Sequence, residues 1–307
     1  MLGSRLSEDE EVIDAFYNFP VKVEHSVFSK LKYAQYPIVG RLYAKYLLRK
    51  EKVHLPYHEL FFNKISEEVA ARKSEQSVKE YQKPNDLLQR LLDEGFNTED
   101  ITLFVVNLIF ASVVTTTNNS TLALYDMVTY PEYYNELYEE QLQIKKEFGD
   151  DISPDIVSKM LKLNSFIRET MRFRLEAVSS FRITRSDWIL SNGVIIPKGS
   201  FIAVDSTSLH FDNELQDGSP YEFKPYRHFE NGKLATKTEP QFLSFGFGTH
   251  ACPGRFLAIQ EISTILSVII RNYEISTQDG KPHPYMVKPA QFDLPKGEPL
   301  IFRKINN

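Results

Sequence analysis

A glycine-rich loop around the only cysteine of the 307-residue chain constrains the fold more than any other sequence feature. The loop reads S-F-G-F-G-T-H-A-C-P-G-R-F-L-A over residues 244–258. Gly246 and Gly248 permit backbone conformations that a side chain disfavours, so the loop can curl tightly and approach a flat ligand. Pro253 suits the first position of a helix, and the pattern therefore places Cys252 at a helix N-terminus. Apolar residues then recur at helical spacing, namely Ile259, Ile262, Leu266 and Ile269.

The lone cysteine has two interpretations before its context is weighed. Most such cysteines are buried and act as small, inert hydrophobic residues. A thiolate at residue 252 would instead face the amide-rich, partly positive end of a helix, which stabilises negative sulfur and tempers the charge donated to a metal. Zinc is disfavoured because one cysteine and seven scattered histidines show no ligand spacing. A cysteine protease is disfavoured because His250 is two residues away and no third catalytic member is evident.

The spacing of this loop carries a resemblance. The pattern F-x-x-G-x-x-x-C-x-G over residues 245–254, with an alanine at 258, resembles the haem-binding signature of the cytochrome P450 family, and its wording H-A-C-P-G-R-F is common in fungal members. By this resemblance Cys252 is the axial thiolate ligand of haem (heme b) iron, a ligand that favours O–O cleavage. The cofactor-binding residues that the resemblance implies are Arg182, Phe245, Gly248, His250, Cys252 and Gly254.

The resemblance and the hydrophobic pattern together predict a mainly α fold with small β-sheets, the C-terminal two-thirds of the cytochrome P450 fold, in a single domain over residues 1–307. Ser7 with Glu10 matches a capping box for a first helix. Gly95 is expected to end a short helix, and Asn192 with Gly193 predicts a hairpin turn. Further helices are expected over residues 57–74, 98–129, 131–148 and 155–174, and a further strand over 201–204.

The long helix carries a second chemical feature. On a helix, a hydroxyl can bond the carbonyl four residues back and so bend or open the turn. Three adjacent threonines in a buried helix can also merely satisfy their hydroxyls in this way. By the resemblance, Thr115 is the distal threonine that helps deliver protons to bound oxygen, behind the small residues Ala111 and Ser112. Because Val114 replaces the acid or histidine that many members have, proton delivery would depend on Thr115, water or Thr116.

A third match lies on a later helix. Glu169 and Arg172 are three residues apart, so a helix places them on one face as an ion pair. Taken alone, such a pair is usually a solvated salt bridge. The resemblance implies a buried Glu-Arg-Arg network behind the haem loop, completed by Arg227. These three residues are expected to be structural, because removing one leaves a buried charge unpaired.

Cations for the haem propionates are also implied by the resemblance. Arg182 matches the family's propionate-binding arginine, and Arg185 is its nearby competitor. His250 occupies another propionate-contacting position, where charged hydrogen bonds hold an anionic cofactor. Residues 177–181 would face the substrate.

Composition excludes some classes of protein and partner. A net charge of -5 and a pI near 5.9 argue against nucleic-acid binding, and no basic run stands out beyond residues 49–52.

The most apolar stretch, residues 101–114, is expected to be too short to span a membrane, and no signal peptide is evident. Members of the family usually lie at the endoplasmic reticulum membrane. No membrane anchor is recognised in this chain, which is therefore expected to be cytoplasmic or peripheral to the membrane.

Two functions remain open. The resemblance covers about residues 1–303, but only the later part of the family's pattern. It implies a monooxygenase that inserts oxygen from O2 into a small apolar molecule, with electrons from NADPH-cytochrome P450 reductase, in fungal secondary metabolism of a terpenoid or an alkaloid. The alternative is a truncated homologue without oxygenase activity that acts as a binding or scaffold protein or as a non-redox catalyst. The complete set of haem-side residues favours the former, and the missing N-terminal elements with Val114 favour the latter.

Overall fold

A computed structural model describes most of the chain. The described residues are 2–23, 57–76, 81–174, 178–216, 218–282, 286 and 299–305. The basic run at residues 49–52 and Ala177, the first of the expected substrate-facing residues, lie outside the described residues.

Helices dominate the described residues, as predicted. They are α1 (Ser4–Ser7), α2 (Glu10–Val23), α3 (His58–Glu75), α4 (Leu87–Asp93), α5 (Thr98–Thr129), α6 (Pro131–Phe148), α7 (Pro154–Val157), α8 (Leu161–Arg174), α9 (Ser206–His210) and α10 (Arg255–Asn272). A 3₁₀ turn covers Gly248–His250. The helices expected from the sequence over residues 57–74, 98–129, 131–148 and 155–174 are confirmed, the last as the pair α7 and α8.

Short strands form small antiparallel sheets, which confirms the predicted fold class. The described strands are β1 (Val178–Ile183), β2 (Trp188–Ile189), β3 (Ile195–Ile196), β4 (Phe201–Asp205), β5 (Tyr273–Ser276) and β6 (Ile301–Lys304). β1 pairs with β4, β2 with β3 and β5 with β6. Gly193 turns the β2–β3 hairpin with a φ of 83°, a left-handed conformation that favours glycine, and its N–H donates to the Leu190 carbonyl. The predicted hairpin is therefore confirmed.

The chain divides into two compact units, Met1–Thr115 and Thr116–Asn307, and the division falls within α5. The expectation of one domain over residues 1–307 stays a prediction. In the first unit, α3 and the first half of α5 bury one apolar face each. The core residues of these two helices include Phe61, Ile65, Ile101, Val105 and Ile109.

The first unit also buries a charged centre. Arg72 is 1% exposed, and its Nε and Nη2 lie 2.7 Å from Glu68 Oε1 and Asp86 Oδ2. Arg5 Nε donates to the second oxygen of Glu68 at 2.8 Å, and Arg5 Nη1 donates to exposed Glu75 at 2.7 Å. This Arg72 centre joins α1, α3 and the start of α4.

The second unit packs α6, α8 and α10 around one core. Phe223 lies at its centre, with the Tyr130 ring stacked at 4.5 Å and the Phe166 and Phe173 rings edge-on at 5.3 and 5.6 Å between centroids. Aromatic pairs in these geometries contribute about 0.5–1.5 kcal/mol beyond the area they bury. The core thereby fixes α8, which carries Glu169 and Arg172.

The predicted helix ends agree with the structure in one case and differ in another. Gly95 ends α4 as predicted, with a φ of 83° and with Phe96 N–H donating to the Leu91 carbonyl at 3.1 Å. The predicted Ser7 capping box is wrong. Asp9 caps α2 instead, because its Oδ1 accepts from the Glu11 and Val12 amides, and Ser7 Oγ donates to the Ser4 carbonyl.

The length of α5 corrects one expectation. The helix runs without interruption over 32 residues, so the apolar run at residues 101–114 is only part of it. By length and composition alone, α5 is the one helix among the described residues that is long and apolar enough to cross a membrane. The core helix of a soluble protein passes the same test. The expectation that this region is too short to span a membrane is therefore wrong on length.

Candidate functional site: the cysteine loop before α10

Backbone hydrogen bonds close the loop that carries Cys252. Gly246 N–H donates to the Leu243 carbonyl at 2.9 Å, and Cys252 N–H donates to the Phe245 carbonyl at 2.8 Å. The second bond brings the two ends of the signature together across the loop. Phe245 is partly buried against the core of the second unit, so the core anchors this end of the loop.

The two loop glycines are required by their backbone conformations. Gly246 has a φ of 69° and Gly248 a φ of 75°, both in the left-handed region that disfavours other residues. A Cβ at Gly248 would meet nothing within 4 Å, so the space beside it is open. The prediction that these glycines let the loop curl tightly and leave room for a close ligand is therefore supported by the geometry.

The sulfur of Cys252 lies beside the N-terminus of α10. A Cβ at Gly254 would lie 3.9 Å from Cys252 Sγ, and Gly254 is the N-cap because its carbonyl accepts the first helical bond, from Ala258 N–H at 2.9 Å. The expectation that Pro253 opens the helix is therefore wrong, since α10 begins at Arg255. The partly positive helix end still favours negative charge on the nearby sulfur.

The face that α10 buries agrees with the predicted spacing for three of four residues. Ile259, Ile262 and Leu266 are buried, whereas Ile269 is partly buried and Ile270 is the fully buried residue at that end. This face holds the helix against the core of its unit and leaves the first turn to position the loop.

Arg255 joins the loop to a neighbouring segment, a role that the sequence alone does not predict. Its Nη1 donates to the Cys252 carbonyl at 2.9 Å, and its Nε donates to the Thr236 carbonyl at 3.2 Å. The residue belongs to the recognised signature, so the signal was present. Its partner Thr236 is close only through the tertiary structure.

The surroundings of Cys252 fit a flat apolar group with a central metal. The cysteine is partly exposed, and Phe247, Phe256 and Leu257, on either side of it in sequence, have exposed fractions of 50%, 59% and 51%. Among the described residues, no three His, Cys, Asp or Glu side chains group as a metal site. A single partly exposed thiol beside apolar side chains is compatible with haem, which carries the remaining equatorial ligands of its iron itself.

The other predicted haem contacts lie on the surface of the second unit. His250 is exposed at the end of the 3₁₀ turn. Arg182 is exposed on β1, and its Nη1 donates to the Phe181 carbonyl at 2.7 Å. Arg185 is exposed in the turn that follows β1. At these exposed positions both arginines and His250 are accessible for binding anionic groups. Their assignment to the haem propionates stays a prediction.

Thr115 lies on α5 as the last residue of the first unit. Its Oγ1 donates to the Ala111 carbonyl at 2.7 Å, the bond to the fourth residue back that the sequence predicts for a helical hydroxyl. The helix continues through this turn without a break. The predicted catalytic role of Thr115 stays a prediction.

The expected Glu-Arg-Arg network is present and buried. Arg172 Nε and Nη2 each donate to one carboxylate oxygen of Glu169 at 2.8 Å, and Arg227 Nε donates to Glu169 Oε1 at 3.3 Å. All three side chains are at most 2% exposed. Arg172 Nη1 also donates to the carbonyls of His210 and Pro220 at 2.8 and 3.0 Å. The pair is therefore not the solvated salt bridge that its spacing alone would suggest.

Two side chains connect α8 with the entry of the cysteine loop. Ser244 Oγ donates to the Met171 carbonyl at 3.2 Å, and His210 contacts both the Arg172 carbonyl and the Leu243 amide. No local signal marks His210 in the sequence, because an isolated histidine has no diagnostic spacing. The structure alone identifies it.

Comparison with known proteins decides the family. Residues 1–301 match the family model for cytochrome P450. The chain belongs to the cytochrome P450 family. Cytochrome P450 proteins bind haem iron through a thiolate, and Cys252 is the only residue of this chain that can supply one.

Fungal cytochrome P450 proteins are among the relatives. The chain is 35% identical over 206 residues to cytochrome P450 monooxygenase 103 of Postia placenta, covering 63% of this chain and 41% of the relative. It is 34% identical over 237 residues to monooxygenase 151 of the same fungus, covering 72% and 47%. It is 28% identical over 318 residues to monooxygenase atmQ of Aspergillus flavus, covering 100% and 59%. The chain thus spans about half the length of the curated relatives it matches.

Proposed function

We propose that this chain carries the haem-binding part of a monooxygenase that inserts oxygen from O2 into a small apolar molecule. The observation that carries the proposal is Cys252, a partly exposed sulfur beside the N-terminus of α10 in a loop shaped by Gly246 and Gly248. Family membership and the fungal monooxygenase relatives support the reaction class. When bound, a haem-thiolate centre supplies the activation of O2.

The residues of the loop have separate proposed roles. Cys252 Sγ holds the iron, and the positive end of α10 limits the charge that the sulfur donates. The exposed Phe247, Phe256 and Leu257 side chains contact the flat apolar surface of the cofactor and exclude water from it. His250 donates to an anionic edge group.

Two residues outside the loop complete the proposal. Arg182 pairs with a propionate, for which it competes with Arg185. Thr115, whose Oγ1 donates to the Ala111 carbonyl, is the proposed residue that helps deliver protons. Electrons would come from NADPH-cytochrome P450 reductase. The proposed substrate class is a terpenoid or an alkaloid of fungal secondary metabolism, and the proposed location is the cytoplasm or the periphery of the endoplasmic reticulum membrane.

The absorption spectrum of the reduced, CO-bound protein tests the proposal. The purified chain is reconstituted with haem and compared with Cys252→Ser. We expect a Soret band at the red-shifted thiolate position, and we expect Cys252→Ser to lose it. A matched control is the double variant Cys252→Ser with Ser7→Cys, which keeps one thiol in the chain at an exposed site. This control should not restore the band.

Two outcomes would overturn the monooxygenase proposal. One is a wild-type chain that takes up no haem, and the other is a band typical of histidine ligation that is unchanged in Cys252→Ser. Either outcome would favour the alternative of a binding or scaffold protein without oxygenase activity.

A further inference from the structure

His210 is a buried histidine whose two ring nitrogens have different partners. It ends α9 and has no solvent-exposed surface. Leu243 N–H donates to His210 Nε2 at 2.9 Å, so Nε2 carries no proton. Nδ1 lies 3.1 Å from the Arg172 carbonyl, which can only accept, so Nδ1 carries the proton. The geometry therefore selects one neutral tautomer of the ring.

Leu243 is the point at which the cysteine loop begins. Its carbonyl accepts the Gly246 amide at 2.9 Å, and the loop then closes through the bond from Cys252 N–H to the Phe245 carbonyl. The amide of Leu243 thus binds His210 while its carbonyl binds the first loop glycine. These hydrogen bonds, together with the short stretch of backbone between them, connect His210 to Cys252.

The charges around His210 favour the neutral ring. The pKa of His210 is lowered to about 4, mainly by burial and to a smaller extent by the guanidinium groups of Arg172 and Arg168. The hydrogen bond to the Arg172 carbonyl and the charge of Glu169 oppose this shift. Arg172 Nη1 also donates to the His210 carbonyl, and the imidazole stacks on the Phe242 ring at 5.7 Å. A protonated Nε2 would direct an N–H at the Leu243 N–H, so the two donors would repel.

We propose that His210 is a positioning residue for Cys252: its unprotonated Nε2 holds the entry of the cysteine loop against α8. The haem-related consequence rests on the proposed function, whereas the hold on the loop does not. In the haem-bound protein, this hold keeps Cys252 Sγ where the thiolate can bind the iron. Loss of the acceptor at this position loosens the loop even when the rest of the unit stays folded.

Two variants of His210 separate its two hydrogen bonds. His210→Asn places an amide near the Nδ1 position, which keeps a donor for the Arg172 carbonyl but loses the acceptor for Leu243. His210→Gln places an amide oxygen near the Nε2 position, which keeps the acceptor for Leu243. If His210 only filled space, both variants would loosen the loop to the same extent. The proposal predicts instead that His210→Gln keeps the loop closed and that His210→Asn does not.

The experiment uses two readouts that need no haem. The first is hydrogen exchange of the Leu243 amide, and the second is alkylation by N-ethylmaleimide of Cys252, the only thiol in the chain. We expect His210→Asn to raise both rates between about two- and tenfold, the factor that corresponds to one hydrogen bond, and His210→Gln to leave them near the wild-type values. Equal increases in both variants would overturn the proposal.

A titration of the wild-type chain keeps the test independent of how well a variant folds. Leu243 protection, corrected for the intrinsic pH dependence of exchange, should fall as the pH is lowered from 6.5 to 4. In this range the opened loop, in which His210 has its ordinary pKa, binds a proton that the closed loop does not, so opening is favoured. The fall should be absent in His210→Gln. The same fall in His210→Gln would contradict the proposal. If the wild-type chain binds no haem, the proposed function fails, and these two readouts still decide the role of His210. If haem binds, His210→Asn should reduce the fraction of thiolate-type CO complex more than His210→Gln does.

Discussion

Two of the buried arginine centres among the described residues, one in each unit, balance their charges in different ways. Arg72, in the first unit, lies between two carboxylates, those of Glu68 and Asp86. Arg172, in the second unit, shares the single carboxylate of Glu169 with Arg227. Both Arg72 and Arg172 are 1% exposed, so neither is a surface salt bridge.

The difference lies in what completes each centre. The Arg72 centre reaches the surface through Arg5, which is 51% exposed. The Arg172 centre is completed by backbone carbonyls, since Arg172 Nη1 binds those of His210 and Pro220, and Arg227 Nη2 binds that of Ser219. The carbonyl of His210 ends α9, and those of Pro220 and Ser219 lie in the irregular chain between α9 and α10. The Arg172 centre therefore binds the start of the segment that leads to Cys252. The Arg72 centre mainly joins helices that already have their own hydrogen bonds, and its one backbone contact among the described residues is from Arg72 Nη2 to the Leu2 carbonyl at 3.3 Å.

The largest expected effect is on the Arg172 centre. Arg172→Ala should lower the free energy of unfolding by about 3–5 kcal/mol, because Glu169 is left buried without its main partner and two carbonyls lose their donors. Urea unfolding followed by circular dichroism measures it. Arg172→Lys keeps the charge but not the two-pronged geometry, so it should lose less. If Arg172→Ala lowered the free energy of unfolding less than Arg72→Ala does, the proposed difference between the two centres would be wrong.

A pH dependence should distinguish the Arg172 centre, because His210 is attached to it. The pKa of His210 is about 4 in the folded protein, against an ordinary value of 6.5, so the unfolded chain binds more protons between these values. Its contribution is fully present above pH 6.5 and is lost as pH falls through about 4. The loss should approach about 3 kcal/mol, from 1.36 kcal/mol per pH unit.

Urea unfolding at a series of pH values measures this contribution. In His210→Gln the part of the slope between pH 6.5 and 4 that comes from the histidine should disappear. An unchanged slope would show that carboxylates elsewhere in the chain account for the acid sensitivity.

The smallest expected effect is on the Arg72 centre. Arg72→Ala should cost about 2 kcal/mol, because Glu68 keeps Arg5 and Asp86 keeps the Gln89 amide as the N-cap of α4. Arg5→Ala, at the exposed edge of the same centre, should shift the urea midpoint less than Arg72→Ala does, since exposed ion pairs contribute little. A cost for Arg72→Ala above that of Arg172→Ala would show that carboxylate pairs, rather than carbonyls, govern both centres.

Local features of the chain were predicted well. The bounds of α5, the turn at Gly193 and the end of α4 at Gly95 agree with the structure, because periodicity and left-handed glycines act over a few residues. Two helix starts were missed. Asp9 rather than Ser7 caps α2, and Gly254 rather than Pro253 precedes α10. Several residues compete for each cap, and the path of the preceding chain decides among them.

For the candidate site, the order of residues predicts the chemistry. One cysteine, the spacing of its glycines and the helix that follows resemble the thiolate loop of the cytochrome P450 family, and the sequence can carry this resemblance because side-chain chemistry and backbone freedom are properties of the residues themselves. The Glu169–Arg172 pair shows the limit of that reading, since its spacing alone fits a solvated bridge as well as a buried one.

Only the tertiary structure decided which of these groups are buried and what they bind. It buries Glu169, Arg172 and Arg227 together, turns Arg255 towards the Cys252 carbonyl, and selects the neutral tautomer of His210 through Leu243. Two of these contacts, Arg172 with Glu169 and Arg255 with the Cys252 carbonyl, join residues three apart in the sequence. The other partners are backbone groups or side chains far apart in the sequence. Their energies depend on removal from water, which is a property of the packed molecule and not of any segment.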